Sequence, residues 1–126
     1  MAYVGERLAS FRHAGRGVLT LLSETPNARL HLLATVAVAA LGLWLDIARA
    51  DWPPLLLAIG LVWSAEAMNS ALEYLCDAAL PEHNELIGKA KDTAAAGVLI
   101  CSALAVLVGL LVLGPYLLAW FTQLRG

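Results

Sequence analysis

The chain has 126 residues, of which 60% are hydrophobic and 14% charged, with a formal net charge of −2. Soluble domains carry roughly 25% charge and 45–50% apolar residues, and so short a chain has too little interior to hide this apolar excess. With a mean hydropathy of +0.74, the composition is that of an integral membrane protein. Small net charge without a long basic run excludes a nucleic-acid binder. Two cysteines, Cys76 and Cys101, make neither a metal-ligand pair nor a disulfide framework, and each reads as a small packing residue in apolar sequence. No linker, repeat or low-complexity stretch divides the chain, so residues 1–126 read as one domain.

The first predicted element is a helix over 3–23. Val4, Leu8, Phe11, Gly15, Val18 and Leu22 fall within about 80° of arc at about 100° per residue. Arg7 and Arg12 flank this stripe, and His13 and Thr20 lie opposite it. Such a helix rests on a membrane surface rather than crossing it; read alone, it is an anchor. Ser23-Glu24-Thr25-Pro26 then breaks it.

Three apolar stretches follow, at 30–48, from Trp52 onward, and at 93–121. About 20 helical residues cross a bilayer core of about 30 Å, so the first and third qualify alone. The second qualifies as a helix over 52–79 if it continues through Glu66 and Asn69. Ala48-Arg49-Ala50 has the look of a signal cleavage site, but the apolar run before it starts at residue 30 and is longer than a signal core. Arg7, Arg12, Arg16 and Arg29 precede the first span, and Lys89 and Lys91 follow the second. The positive-inside rule therefore places the N-terminus and an 80–92 loop in the cytoplasm and the C-terminus outside. Trp44, Trp52, Tyr116 and Trp120 form an aromatic belt at the outer face.

Within the second span, Glu66, Asn69, Glu73 and Asp77 lie within about 80° of one another on a helix. A carboxylate at mid-membrane costs about 2.5–3.5 kcal/mol, so acids placed there are functional candidates. The alternative, that the helix has left the bilayer by residue 70, bears most on Asp77. Clustered carboxylates suit Mg²⁺ held with phosphate ligands, and one of them can take a proton from an alcohol. The loop from Pro81 to Asp92 carries Lys89 and Lys91; lysine is a compact charge suited to nucleotide phosphates, and a purely topological role is the alternative. No Walker A or dinucleotide glycine motif is present.

Glu66-Ala-Met-Asn69-Ser70-Ala71-Leu72-Glu73, then Asp77, then Glu85-Leu-Ile-Gly88-Lys89-Ala90-Lys91-Asp92 resembles the small prokaryotic diacylglycerol kinase and undecaprenol kinase family. That family has the pattern E-x-x-N-[ST]-A-[IL]-E, a spaced Asp, and A-K-D. The resemblance covers about residues 5–115, with Phe11-Arg12-His13-Ala14-x-Arg16-Gly17 and Asn27-Ala28-Arg29-Leu30-His31. It implies an all-α homotrimer, each subunit a surface helix plus three transmembrane helices, phosphorylating a lipid alcohol from MgATP in the bacterial inner membrane.

By motif position, the resemblance makes Glu66 the general base and Glu73 a Mg²⁺ ligand. It sets Glu66, Asn69 and Arg29 at the lipid substrate. Glu73, Glu82, His83, Asn84, Lys91 and Asp92 fall on nucleotide positions. His13 stands where the family usually has an aromatic Tyr near nucleotide, and Arg7 lies one residue off the family's N-terminal arginine. The family often places Glu or Gln four residues before the arginine matching Arg29; here Thr25 holds that place and Glu24 precedes it, which leaves Glu24 as the second metal ligand only if the turn shifts.

His83 to Asp92 is nearer the diacylglycerol branch, whereas Thr93 to Val98 and Asn27 to Leu32 are nearer the undecaprenol branch. The balance of these motifs favours diacylglycerol. Outside the enzymes, an acidic-lined trimeric channel or a helical interaction subunit would use the same stripe, although neither needs the Lys91-Asp92 loop or the surface helix.

Overall fold

The structure is a computed structural model that describes residues 2–79 and 84–125, with side chains from residue 5. Four α-helices account for it: α1 (Ala2–Glu24), α2 (Pro26–Trp44), α3 (Trp52–Ala79) and α4 (Glu85–Gln123). No strand occurs among the described residues. Helices α2, α4, and α3 with the turn leading into it are long and apolar enough to cross a membrane, so the chain is an all-α protein of membrane-spanning character.

Along α1 the apolar side chains stand uncovered, with Leu8 65% and Phe11 76% exposed. That is the condition of a helix whose apolar face meets lipid rather than protein. Near its end Leu21 is buried. Thr25 then adopts an extended conformation and Pro26 opens α2, at the one helical turn where a missing N–H is harmless. Helix α2 thus begins four residues before the apolar run at 30, because Asn27 and Arg29 are helical although polar.

It also ends earlier than residue 48. The Asp46 N–H donates to the Leu43 carbonyl (3.2 Å) and the Ile47 N–H to the Gly42 carbonyl (3.2 Å). These are the two bonds of a Schellman cap, and Asp46 holds the left-handed position (φ 49°) where glycine is commonest. The cap folds Ile47 back on Gly42, onto which the Trp52 ring also packs.

A single 3₁₀ turn, Arg49–Asp51, leads into α3, whose early prolines 53 and 54 occupy its first turn. Helix α4 has 39 residues and is about 58 Å long at about 1.5 Å per residue. Residues 85–92, read from sequence as loop, are its first turns. The Asn84 side chain accepts from the Leu86 and Ile87 N–H groups (2.9 and 3.4 Å), an N-cap that starts the helix before the apolar run does.

Helices α3 and α4 pair along their length, and α2 rests more lightly on α3. Ile47, Leu55 and Leu113 form the buried core at the α2–α3 turn, with Trp52 and Tyr116 against it. The Tyr116 hydroxyl donates to Asp51 Oδ2 (2.6 Å) and accepts from the Ala48 N–H (3.0 Å), tying α4 to that turn. Trp44 and Trp120 meet edge to face at 4.8 Å beside it.

A methyl group added at Gly42 would lie 2.9 Å from Trp52 Cη2 and 3.2 Å from Ile47 Cδ1. Gly42→Ala is therefore expected to cost about 1–3 kcal/mol, read as a lower thermal midpoint in detergent. Asp46→Gly, which relieves a left-handed residue, is expected to raise that midpoint by the equivalent of up to about 1 kcal/mol.

Candidate active site

Helix α3 buries its polar face unevenly. Glu66 is 0% exposed, and Asn69 and Ser70 are also buried; one to two turns on, Glu73 is half-buried and Asp77 exposed. Neither carboxylate oxygen of Glu66 has a hydrogen-bond partner. Across from it on α2, His31 Nε2 lies 3.7 Å from Glu66 Oε2, and it too has no partner. Asn69 Nδ2 donates to Glu73 Oε1 (3.2 Å), leaving Asn69 Oδ1 buried and unpaired. Native interiors satisfy nearly all buried polar atoms, so these orphans gathered on two facing helices mark a site kept ready for a ligand.

The His31 ring is fixed from the side. It packs edge to face against Trp63 at 6.5 Å, and the Trp63 indole N–H donates to Thr35 Oγ1 (3.0 Å). The Thr35 hydroxyl in turn donates to the His31 carbonyl (2.8 Å). His31 also lines a groove of about 360 Å³ enclosed by α2, α3 and α4, walled by Val62, Trp63, Ser102, Gly109 and Leu113 among others. The groove is almost wholly apolar, and Glu66 sits beyond its wall.

Helix α1 closes the other side. Tyr74 donates to Glu24 Oε2 (3.3 Å), and Thr25 Oγ1 lies 3.5 Å from Ser70 Oγ. The Arg29 guanidinium donates from Nε to the Leu22 carbonyl (3.1 Å) and from Nη2 to the Ser23 carbonyl. Arg29 thus caps the last turn of α1, where a cation meets the negative end of the helix dipole.

Towards the start of α4, Lys91 Nζ contacts Asp77 Oδ1 at 2.5 Å, with the two side chains 34% and 68% exposed. Lys91 precedes the uncharged stretch that begins at Thr93. The hydrogen bond to the Asp77 carboxylate, more than desolvation opposes it, holds its ammonium above the ordinary lysine range, so the cation stays charged at neutral pH. Asp92, the next residue, is exposed, and Arg7 and His13 are exposed along α1. Asn84 has its carboxamide oxygen engaged in the α4 cap. Glu82 and His83 lie outside the described residues. The structure therefore places Glu66, Asn69 and Glu73 on α3, with Glu24 joined to it through Tyr74 and Lys91 through Asp77, whereas Arg29 is bonded to the end of α1.

Among the described residues no group of three or more His, Cys, Asp or Glu side chains converges on a metal position. A Mg²⁺ ion that travels with a nucleotide keeps phosphate and water ligands and asks the protein for one or two carboxylates. Two carboxylates stand at this part of α3, Glu73 bonded to Asn69 and Glu24 bonded to Tyr74. Sequence reasoning meets His31 only as the last residue of the Asn27–His31 motif and gives it no role. The available signal was an ionisable side chain inside an otherwise apolar span.

A bundle of long apolar helices with a buried, unpaired carboxyl defines a membrane protein with an internal polar site. The model of the family described as prokaryotic diacylglycerol kinase matches residues 12–113, and the chain belongs to that family. It is similar to the undecaprenol kinase of Bacillus subtilis (strain 168), with 33% identity over 108 residues, 86% of this chain and 88% of that protein. It is also similar to the diacylglycerol kinase of Synechocystis sp., 36% identical over 113 residues, 89% of this chain and 65% of the relative. The Escherichia coli (strain K12) diacylglycerol kinase is 35% identical over 75 residues, 60% of this chain and 62% of that protein. The chain is a lipid kinase, and the channel and scaffold alternatives give way to an enzyme.

Arg29→Ala removes the donors on two carbonyls of α1. Amide exchange in the last two turns of α1 is expected to quicken several-fold in hydrogen-exchange measurements, while α3 and α4 keep their protection.

Proposed function

We propose that the protein transfers the γ-phosphate of ATP to the hydroxyl of a membrane lipid alcohol, with Glu66 as general base. The observation that carries this reading is the Glu66 carboxyl, fully buried and without a hydrogen-bond partner, on the same helix face as the Asn69–Glu73 pair. Glu66 takes the hydroxyl proton, the alcohol oxygen bonds to the γ-phosphorus, and the bond from that phosphorus to the ADP oxygen breaks. Phosphoryl transfer needs positioning and charge neutralisation more than covalent chemistry. Bound Mg²⁺ would supply neutralisation of the β- and γ-phosphates.

Glu73 and Glu24 would hold that ion, and Lys91, kept charged by Asp77, offsets phosphate charge. Arg7, His13, Asn84 and Asp92, with Glu82 and His83, are the remaining nucleotide contacts in this reading; Asn84 has its amide nitrogen to offer, since its oxygen caps α4. Burial of Glu66 keeps water from competing with the lipid hydroxyl for the phosphate. Asn69 and Arg29 border the acceptor side. The enzyme sits in the bacterial inner membrane as a homotrimer, N-terminus and the α3–α4 connection in the cytoplasm, an orientation supported by the basic residues at those places.

For the lipid, one observation weighs against the motif balance, which favours diacylglycerol. The match to an undecaprenol kinase covers 86% of this chain and 88% of that protein. We therefore take undecaprenol as the acceptor. Diacylglycerol, giving phosphatidic acid, is the second reading, favoured by the His83 to Asp92 block and by the Synechocystis relative.

The test is transfer from labelled ATP by purified protein in mixed micelles offering both lipids with Mg²⁺. Transfer to undecaprenol, reduced roughly 10²–10⁴-fold by Glu66→Gln with helical content and melting retained, is the expected result. No transfer to either lipid, or an active Glu66→Gln, overturns the reading. Glu73→Gln is expected to raise the Mg²⁺ concentration needed for half-maximal rate; an unchanged Mg²⁺ dependence removes its metal role.

A further inference from the structure

The Glu66 carboxyl faces a second ionisable group that the phosphorylation reading leaves unused. His31 Nε2 lies 3.7 Å from Glu66 Oε2, and both atoms are buried without a hydrogen bond. A buried carboxylate with no donor is costly, and a charge-assisted bond is about 2.7–2.9 Å long, so closure of about 1 Å would satisfy both orphans at once. The His31 side chain, 14% exposed, also forms part of the groove wall, whereas Glu66 does not. It therefore stands between the apolar channel and the base.

We propose that His31 is a positioning residue for Glu66: it fixes the carboxylate beside the groove by offering its Nε2–H to Oε2. This inference rests on Glu66 being the base. Before transfer, an Nε2–H donates to the ionised Oε2.

The ring is held for this task by Trp63 and Thr35. Other charged groups around the pair are engaged elsewhere. From α1, Glu24 binds Tyr74. On α2, Arg29 binds the α1 carbonyls. On α3, Glu73 binds Asn69. Helix α4 contributes, between Asp92 and its end, only Cys101 and Tyr116 as titratable side chains, and Tyr116 is bonded to Asp51.

The experiment compares wild type, His31→Leu and His31→Gln in the micelle assay, with kcat, both KM values and the pH–rate profile. Loss of a hydrogen bond to a charged group predicts a kcat roughly ten- to a hundred-fold lower in His31→Leu, with the ATP KM unchanged. His31→Gln, which restores an N–H donor, recovers most of the rate.

Equal rates and superimposable profiles in His31→Leu and wild type overturn the proposal, as does a His31→Gln no better than His31→Leu. If His31→Leu does not fold, His31→Ala with and without added imidazole replaces it; recovery by imidazole supports the role and no recovery overturns it. A wild type that transfers no phosphate, or an active Glu66→Gln, defeats instead the assignment of Glu66 on which the inference rests.

Discussion

Everything in this molecule is arranged around one carboxyl group that has been taken out of water. Glu66 sits on α3 where α2 and α4 flank it, fully buried and facing an imidazole. Such a group is destabilising by itself, since burial without partners removes hydration and returns nothing. The bundle tolerates it because the helix that carries it is long, apolar and paired along its length with α4. Stability is supplied at the opposite end, by the Ile47, Leu55 and Leu113 core and the Tyr116–Asp51 bond. The molecule is thus divided into a packed end that holds the fold and an under-satisfied end where the candidate site lies.

The same division shows in how polarity is spread along α3. Glu66 is sealed, the Asn69–Glu73 pair is half-open, and Asp77 reaches the surface to meet Lys91. A phosphate donor belongs where charge is hydrated, and a lipid hydroxyl where it is not. One helix face carries the gradient between the two, and the end of α1 meets its middle through Glu24 and Tyr74.

Much of this was legible in the sequence. The apolar runs announced three spans because lipid imposes length and composition on a helix, and the 0, 3, 7, 11 spacing of the polar residues placed them on one face of α3. Helix ends were less legible. Asn27 and Arg29 are polar yet helical, since Pro26 starts α2 and Arg29 is occupied with the carbonyls of α1. Residues 85–92 looked like loop by charge, but the Asn84 cap turns them into the first turns of α4. His31 was hidden for a different reason: its meaning lies in the 3.7 Å to Glu66, a distance between helices that no pattern within one helix contains.

The length of α4 links the two ends of the molecule mechanically. From Lys91 to Tyr116 the helix is continuous, with Pro115 in its final turn before the tyrosine, a span of about 37 Å at about 1.5 Å per residue, against a hydrocarbon thickness of about 30 Å. Tyr116 is moored to the α2–α3 turn, so the depth of Lys91 relative to that turn is set by one helix rather than by local loops. Bilayer thickness then becomes a coordinate of the Lys91 end: a thinner membrane must be met by tilt or by deforming the lipid, and either one changes how far Lys91 stands from the interface.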